Sequence, residues 1–329
     1  MNTNNECYNI ALIGAGNIGF RHFQSLITSK RKVKLFIVDP NEAIRTRYED
    51  EFNLHQNANI ELFFCSAISE INCVLDLALV ATNAKVRRDI VVELLDCCVV
   101  KALILEKVLF QYAAHYKEIA KLIKEKNVPT WVNCPRRMYG TYQNLREMLE
   151  SCKNIHVMIS GGKNWELACN AIHMIDMIAF ITKSSSGELF LDHIEDSLCE
   201  SKRCGFYEIN GTITGKLENC EFFSISKNPD TDVPLSVMIT SDRLQCLINE
   251  NAGKLLLSIK DNDWALEEQK GDFPFQSQLT SKAVWSVIDA KTCDLPTYDE
   301  SMYLHQLLQG PLTEFFESKG VEKGLCPIT

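Results

Sequence analysis

The chain has 329 residues, 46% of them hydrophobic and 23% charged, an ordinary globular composition with length enough for two hydrophobic cores. Lys and Arg total 34 against 43 Asp and Glu, leaving a formal charge of -9 and no basic excess to neutralise a nucleic-acid backbone. No stretch approaches the roughly 18 consecutive apolar residues of a spanning helix, so neither nucleic acid nor membrane is an expected partner.

In chain order, residues 8–13 form a short apolar strand that runs into Gly14-Ala15-Gly16-Asn17-Ile18-Gly19, and 20–29 suit a helix. Residues 33–38 are a second strand, closed by Asp39-Pro40, where proline stops the ladder. The nearly uninterrupted apolar run 75–81 reads as a strand covered on both faces, with 85–95 the helix after it. Residues 102–105 are another buried strand ending at Glu106-Lys107, 115–126 an amphipathic helix, and 130–132 the next strand. Alternation of strand and helix predicts a parallel, doubly wound sheet.

The pattern changes after Asn133-Cys134-Pro135. Helices are expected at 142–150 and 167–181, with a strand at 155–160 between them. Strands with polar alternation follow at 206–216, 220–226, 235–240, 244–249 and 254–259, the pattern of an antiparallel sheet with one face on helices. Residues 300–318 return to helix, with Pro311 bending or dividing it. The fold class is therefore α/β: an N-terminal Rossmann domain with a parallel sheet, then an α+β domain with a large, mostly antiparallel sheet. Boundaries are expected at 1–130 and 131–329, the final helix packing back on the first domain. The 14 cysteines sit in apolar runs without a CxxC pair, which suits reduced, buried thiols in a cytoplasmic protein.

The glycine motif is weak alone, but here a strand precedes it, a helix follows, and an acid ends the next strand. Gly14 makes the tight turn, Gly16 lets backbone reach a diphosphate, and Gly19 lets the helix sit close on the sheet. With Asn17 and Ile18 these residues open a helix whose first N–H groups attract an anion. Asp39 accepts ribose hydroxyls and repels a 2'-phosphate, so NAD is expected over NADP, with Arg45 and Arg47 able to offset that preference. Thr82 and Asn83 end a strand where ligands of such sheets lie, although Asn83 is equally suited to cap a helix.

Two loci suit chemistry. Lys107 follows a buried strand, where its ammonium can hydrogen-bond a substrate hydroxyl or developing carbonyl, with Glu106 to hold it; a solvated Glu-Lys pair is the bland alternative. On a helix beginning near Trp165, Cys169, His173 and Asp176 are spaced by four and three and share a face. His173 can take a hydroxyl proton, while Asp176 fixes its tautomer, binds sugar hydroxyls or is structural. A metal set at Cys169, His173 and Asp176 is discounted, because no second ligand cluster accompanies it. Arg136 and Arg137 suit a substrate phosphate or carboxylate, or surface acids, and Tyr139 and Trp165 suit sugar rings or packing.

Taken together, Gly14 to Gly19 with His22, Ala81-Thr82-Asn83, Glu106-Lys107, His173-Met174-Ile175-Asp176 and the late Leu295-Pro296-Thr297 resemble the glucose-fructose oxidoreductase, inositol dehydrogenase and MocA family of NAD(P)-dependent oxidoreductases. The resemblance implies a sugar, cyclitol or sugar-nucleotide substrate oxidised at a secondary hydroxyl, and a sheet that supports homo-oligomers. It implies that Glu106 lies with the cofactor set and that Lys107 and His173 are catalytic. Trp165, Arg137, Asn170 and Asp176 join them around substrate. Two departures stand out: Val108 replaces the family's proline, and Cys169 replaces a carboxylate four residues before the histidine. Both keep open an inactive NAD- and sugar-binding sensor, and the same fold also hosts glycoside cleavage through transient oxidation.

Overall fold

The computed structural model describes residues 6–329, which divide into two compact units. The first takes the segments up to Phe110, Ala114–Asn133 and Pro274–Asp299. The second takes Gln111–Ala113, Cys134–Phe273 and Glu300–Thr329.

In the first unit, apolar runs become β1 (Cys7–Ile13), β2 (Lys32–Val38), β3 (Ile60–Cys65), β4 (Leu77–Val80), β5 (Leu103–Glu106) and β6 (Thr130–Asn133). Between them run α1 (Asn17–Leu26), α2 (Ile44–His55), α3 (Ala84–Cys97) and α4 (Ala113–Glu125). The strands pair in parallel in the order β3-β2-β1-β4-β5-β6. Strand order reverses between β1 and β4, which places the glycine turn after β1 at the switch point. Ile10, Leu12, Leu77, Leu79, Leu103 and Leu105 are all enclosed, as a sheet covered on both faces requires.

The second unit begins with α5 (Gly140–Leu149), β7 (His156–Gly161) and α6 (Leu167–Thr182). Strands β8 (Gly187–Ile194), β9 (Cys199–Glu200), β10 (Tyr207–Glu208), β11 (Gly211–Leu217) and β12 (Cys220–Lys227) follow. They continue as β13 (Ser236–Thr240), β14 (Leu244–Asn249), β15 (Lys254–Ile259) and β16 (Leu266–Lys270). Eight of them form one sheet, β16-β15-β14-β13-β7-β12-β11-β8, antiparallel except where β12 runs parallel to β7. Val157, Ile159, Phe223, Ile225, Val237 and Ile239 face the core, where α6 packs against β12, while the alternating residues face outward. The expected strand 206–216 is interrupted: Tyr207–Glu208 pair with β9, and Gly211, at φ 98°, starts a separate strand.

The chain then returns to the first unit as α7 (Gln276–Ala290), which lies on α1, before α8 (Tyr298–Ser318). Tyr298 and Asp299 at the start of α8 count with the first unit, and the residues from Glu300 on with the second. Ser281 explains part of the α7 contact, its N–H donating to Ser25 Oγ at 2.9 Å and its hydroxyl to Ser25 O at 2.6 Å. Pro311 lies inside α8 without dividing it; Gly310 before it has no Cβ to clash with the pyrrolidine ring. Among the described residues no helix is long and apolar enough to cross a membrane.

Candidate functional site

The turn after β1 has the form its glycines predict. Gly14 adopts φ 92°, and a Cβ there would stand 2.8 Å from the Thr82 nitrogen; a Cβ on Gly19 would meet Gly14 O at 2.1 Å. Both positions need glycine because backbone passes too close for any side chain. Gly16 differs, because a Cβ there would have nothing within 4 Å. Its bareness serves the space outside the protein, at the start of α1, where no side chain caps the first-turn N–H groups. Asn17 is exposed and Ile18 half-buried beside it.

Asp39, at the end of β2, turns toward this loop, its Oδ2 accepting from Ala15 N at 2.7 Å and its Oδ1 from Asn41 N at 2.9 Å. The two neighbouring arginines have partners of their own. Arg45 donates to Glu49 at 2.7 Å and lies 5.0 Å over the Phe64 ring. Arg47 lies 3.8 Å over Phe20 and donates to Asn17 Oδ1 at 3.3 Å. After β4, Thr82 Oγ1 is buried without a hydrogen-bond partner. Asn83 caps α3, its Oδ1 accepting from Lys85 N at 3.0 Å and Val86 N at 3.4 Å. An uncapped helix start, an open Cβ position, an end-of-strand acid and an orphaned hydroxyl fit a dinucleotide.

At the end of β5, Glu106 is buried in a polar cluster. His22 Nε2 lies 2.9 Å from Glu106 Oε1 and its Nδ1 2.8 Å from Thr280 Oγ1. Asn133 also donates to Glu106 Oε1, and to Gln276 Oε1 at 3.0 Å. Burial works against the Glu106 charge, yet His22, the Lys107 charge and Asn133 outweigh it and hold the carboxyl below its usual range. Oε1 of Glu106 is thus engaged by protein donors, and the residue leads directly into half-buried Lys107.

The Lys107–Val108 peptide bond is cis despite the valine. The loop is held by Arg87, a fully buried residue of α3 that donates to Val108 O, to Thr82 O and to Leu109 O at 3.0 Å. Sequence reading passed over Arg87. Its signal was position: it shares a helical stripe with Val91, Leu94 and Leu95, where a solvated arginine has no place. Gln276 and Thr280 were missed with the whole of α7.

In the second unit, α6 carries the other predicted residues. It starts at Leu167, where the apolar run 167–181 predicts, and its first amides are capped from elsewhere. Buried Glu208 of β10 accepts from Ala168 N at 2.7 Å and Cys169 N at 3.2 Å, and burial raises its carboxyl. Asn170 donates back to Glu166 O at 2.8 Å, and Trp165 and His173 are half-buried. Arg137 and Asp176 are brought together with each other: Arg137 donates to Asp176 Oδ1 at 2.8 Å and Oδ2 at 3.0 Å, both residues buried. In this pair two charges removed from water satisfy each other. Burial raises the Asp176 carboxyl in spite of Arg137. Arg136 is committed too, paired twice with Glu250 at 2.8 Å, where Tyr142 also donates at 2.6 Å.

Residues 8–134 match the model of the GFO_IDH_MocA family, described as an oxidoreductase family with an NAD-binding Rossmann fold. No curated protein matches the chain. Solved structures of similar fold cover both units of this chain. One is UDP-N-acetylglucosamine 3-dehydrogenase from Acidithiobacillus ferrooxidans, 11% identical over 93% of this chain and 97% of that one, with a TM-score of 0.71. An Agrobacterium radiobacter oxidoreductase in complex with NAD+, L-tartaric acid and magnesium is 14% identical over 95% and 96%, also at 0.71. Gal80p of Saccharomyces cerevisiae, as a super-repressor mutant, is 13% identical over 95% and 96%, again at 0.71. At these identities the likeness is one of fold, and it spans redox enzymes and a repressor alike.

Proposed function

We propose that this chain is a member of that oxidoreductase family, an NAD-dependent enzyme that reversibly oxidises a secondary hydroxyl of a sugar, cyclitol or sugar nucleotide. The observation that carries the reading is the bare, uncapped glycine turn with Asp39 folded against it. A bound nicotinamide supplies the hydride acceptor. The chain's own residues position and polarise: Lys107 hydrogen-bonds the substrate oxygen and steadies its developing charge, and His173 exchanges the hydroxyl proton. Trp165 and Asn170 contact the ring, while the Arg137–Asp176 pair supports α6 from within. The His22–Glu106–Asn133 cluster holds the Lys107 loop.

The test is the Lys107→Ala protein with a substrate found by screening sugars and cyclitols for NAD reduction. Normal NAD affinity with turnover reduced by about a hundredfold or more is expected, and unchanged turnover removes Lys107 from the mechanism. Binding of NAD and sugar without reduction across the screen would make the protein a sensor. Glycoside cleavage without net NADH would mark transient oxidation.

Two further expectations accompany this reading. The 14 cysteines are all free, which supports a cytoplasmic location. The outer face of the eight-stranded sheet supports a homo-oligomer, because exposed Phe190, Met158, Met238 and Leu247 fall in one register row across it.

A further inference from the structure

We infer that Asp39 is a structural clamp of the glycine turn as well as the acceptor for adenosine ribose, so that preference for NAD cannot be reversed at this position alone. The inference rests on the dinucleotide reading of the turn. A carboxylate has about four lone-pair positions. Two are filled by the protein itself, one by Ala15 N from inside the glycine turn and one by Asn41 N beyond Pro40. Gly14 N donates to Val38 O at 2.9 Å, so two consecutive residues of the turn hang from the last residue of β2 and the residue after it. The remaining two lone-pair positions match the two hydroxyls of a ribose and leave no room for a 2'-phosphate, which the charge also repels.

In a site where the acid only reads the ribose, removing it weakens NAD and admits NADP. Here removal also frees the Ala15 amide and with it the turn that receives the diphosphate, so NADP gains nothing. The two arginines that a 2'-phosphate would need are held elsewhere, Arg45 by Glu49 and Phe64 and Arg47 by Phe20 and Asn17. Asp39 thus couples selectivity to the shape of the turn.

The experiment is calorimetric titration of the ligand-free full chain and of Asp39→Asn and Asp39→Ala with NAD and NADP, together with hydrogen exchange at the Ala15 amide. Wild type should bind NAD in preference to NADP. Both variants should lose at least about tenfold in NAD affinity and gain none for NADP, and Asp39→Ala, which removes the acceptor, should exchange the Ala15 amide faster than wild type in the absence of nucleotide. A variant that binds NADP more tightly than wild type overturns the clamp, as does unchanged Ala15 exchange in Asp39→Ala. If the alanine variant does not fold, Asp39→Leu, branched alike but without an acceptor, decides by the same readouts. Wild type binding neither nucleotide defeats the dinucleotide reading instead, and the exchange comparison still judges the clamp.

Discussion

Three glycines that look alike in the motif do different work. Gly14 and Gly19 are small because the protein's own backbone approaches them, whereas Gly16 faces open space. Gly16→Ser adds a good N-cap to α1, so the melting temperature should hold or rise slightly while NAD affinity falls about tenfold or more, the hydroxyl standing where the diphosphate approaches. Gly19→Ala must push Gly14 aside and should cost about 3 kcal/mol in urea unfolding. Equal losses of stability at the two positions would contradict this assignment.

Glu106 makes a second test at the same scale. Its carboxyl is lowered in the folded chain, by His22 first, then Lys107 and Asn133, against the opposition of burial. The unfolded chain therefore binds the proton more readily, so the stabilisation is complete above the ordinary carboxyl range and is lost as pH falls through the folded value. Glu106→Gln should be less stable than wild type near neutral pH, and the gap should narrow steadily below about pH 4.3. Melting temperatures of both proteins across that range check it; a gap that stays constant would show that the Glu106 charge is not the cause.

At the scale of elements, strands buried on both faces were the most legible, because 75–81 and 102–105 have almost no polar residue to confuse the pattern. Helix α2 was not legible: of its twelve residues only Tyr48 is buried, so it has no apolar stripe to read. Helix α7 hid its stripe of Leu279, Ala283, Val284 and Val287 among Ser, Thr and Gln, and nothing local says that a helix so late in the chain belongs with α1. The same limit applied to the site. Spacing revealed Gly14 to Gly19 and the face of α6, but partners distant in sequence, such as Glu208 for Cys169 and Asp176 for Arg137, depend on tertiary pairing. Because α7 supplies Thr280 and Gln276 to the Glu106 cluster and covers α1, a fragment ending at Asn133 should show no cooperative thermal transition. Joining residues 274–299 to it through a flexible linker should restore one, as followed by circular dichroism, and cooperative melting of the short fragment alone would show α7 to be dispensable.

For the whole molecule, the outer sheet face is the feature a single chain leaves unexplained. Across it the register runs from Phe190 through Thr214, Ser224, Met158, Met238 and Leu247 to Leu256. Five of these seven are apolar, and Met158, Met238 and Leu247 are each at least 40% exposed on adjacent strands, whereas scattered exposed residues would need no explanation. A second copy suits a flat row of this kind, since a two-fold axis brings the same patch of both chains together and buries it from both sides. Charge placed there acts twice per interface. Met158→Lys with Leu247→Lys should therefore shift the light-scattering mass from oligomer to monomer. Both side chains point away from the core, so circular dichroism and NAD affinity should stay unchanged. A wild type that is already monomeric, or a double variant that stays oligomeric, would leave this face without the partner assigned to it.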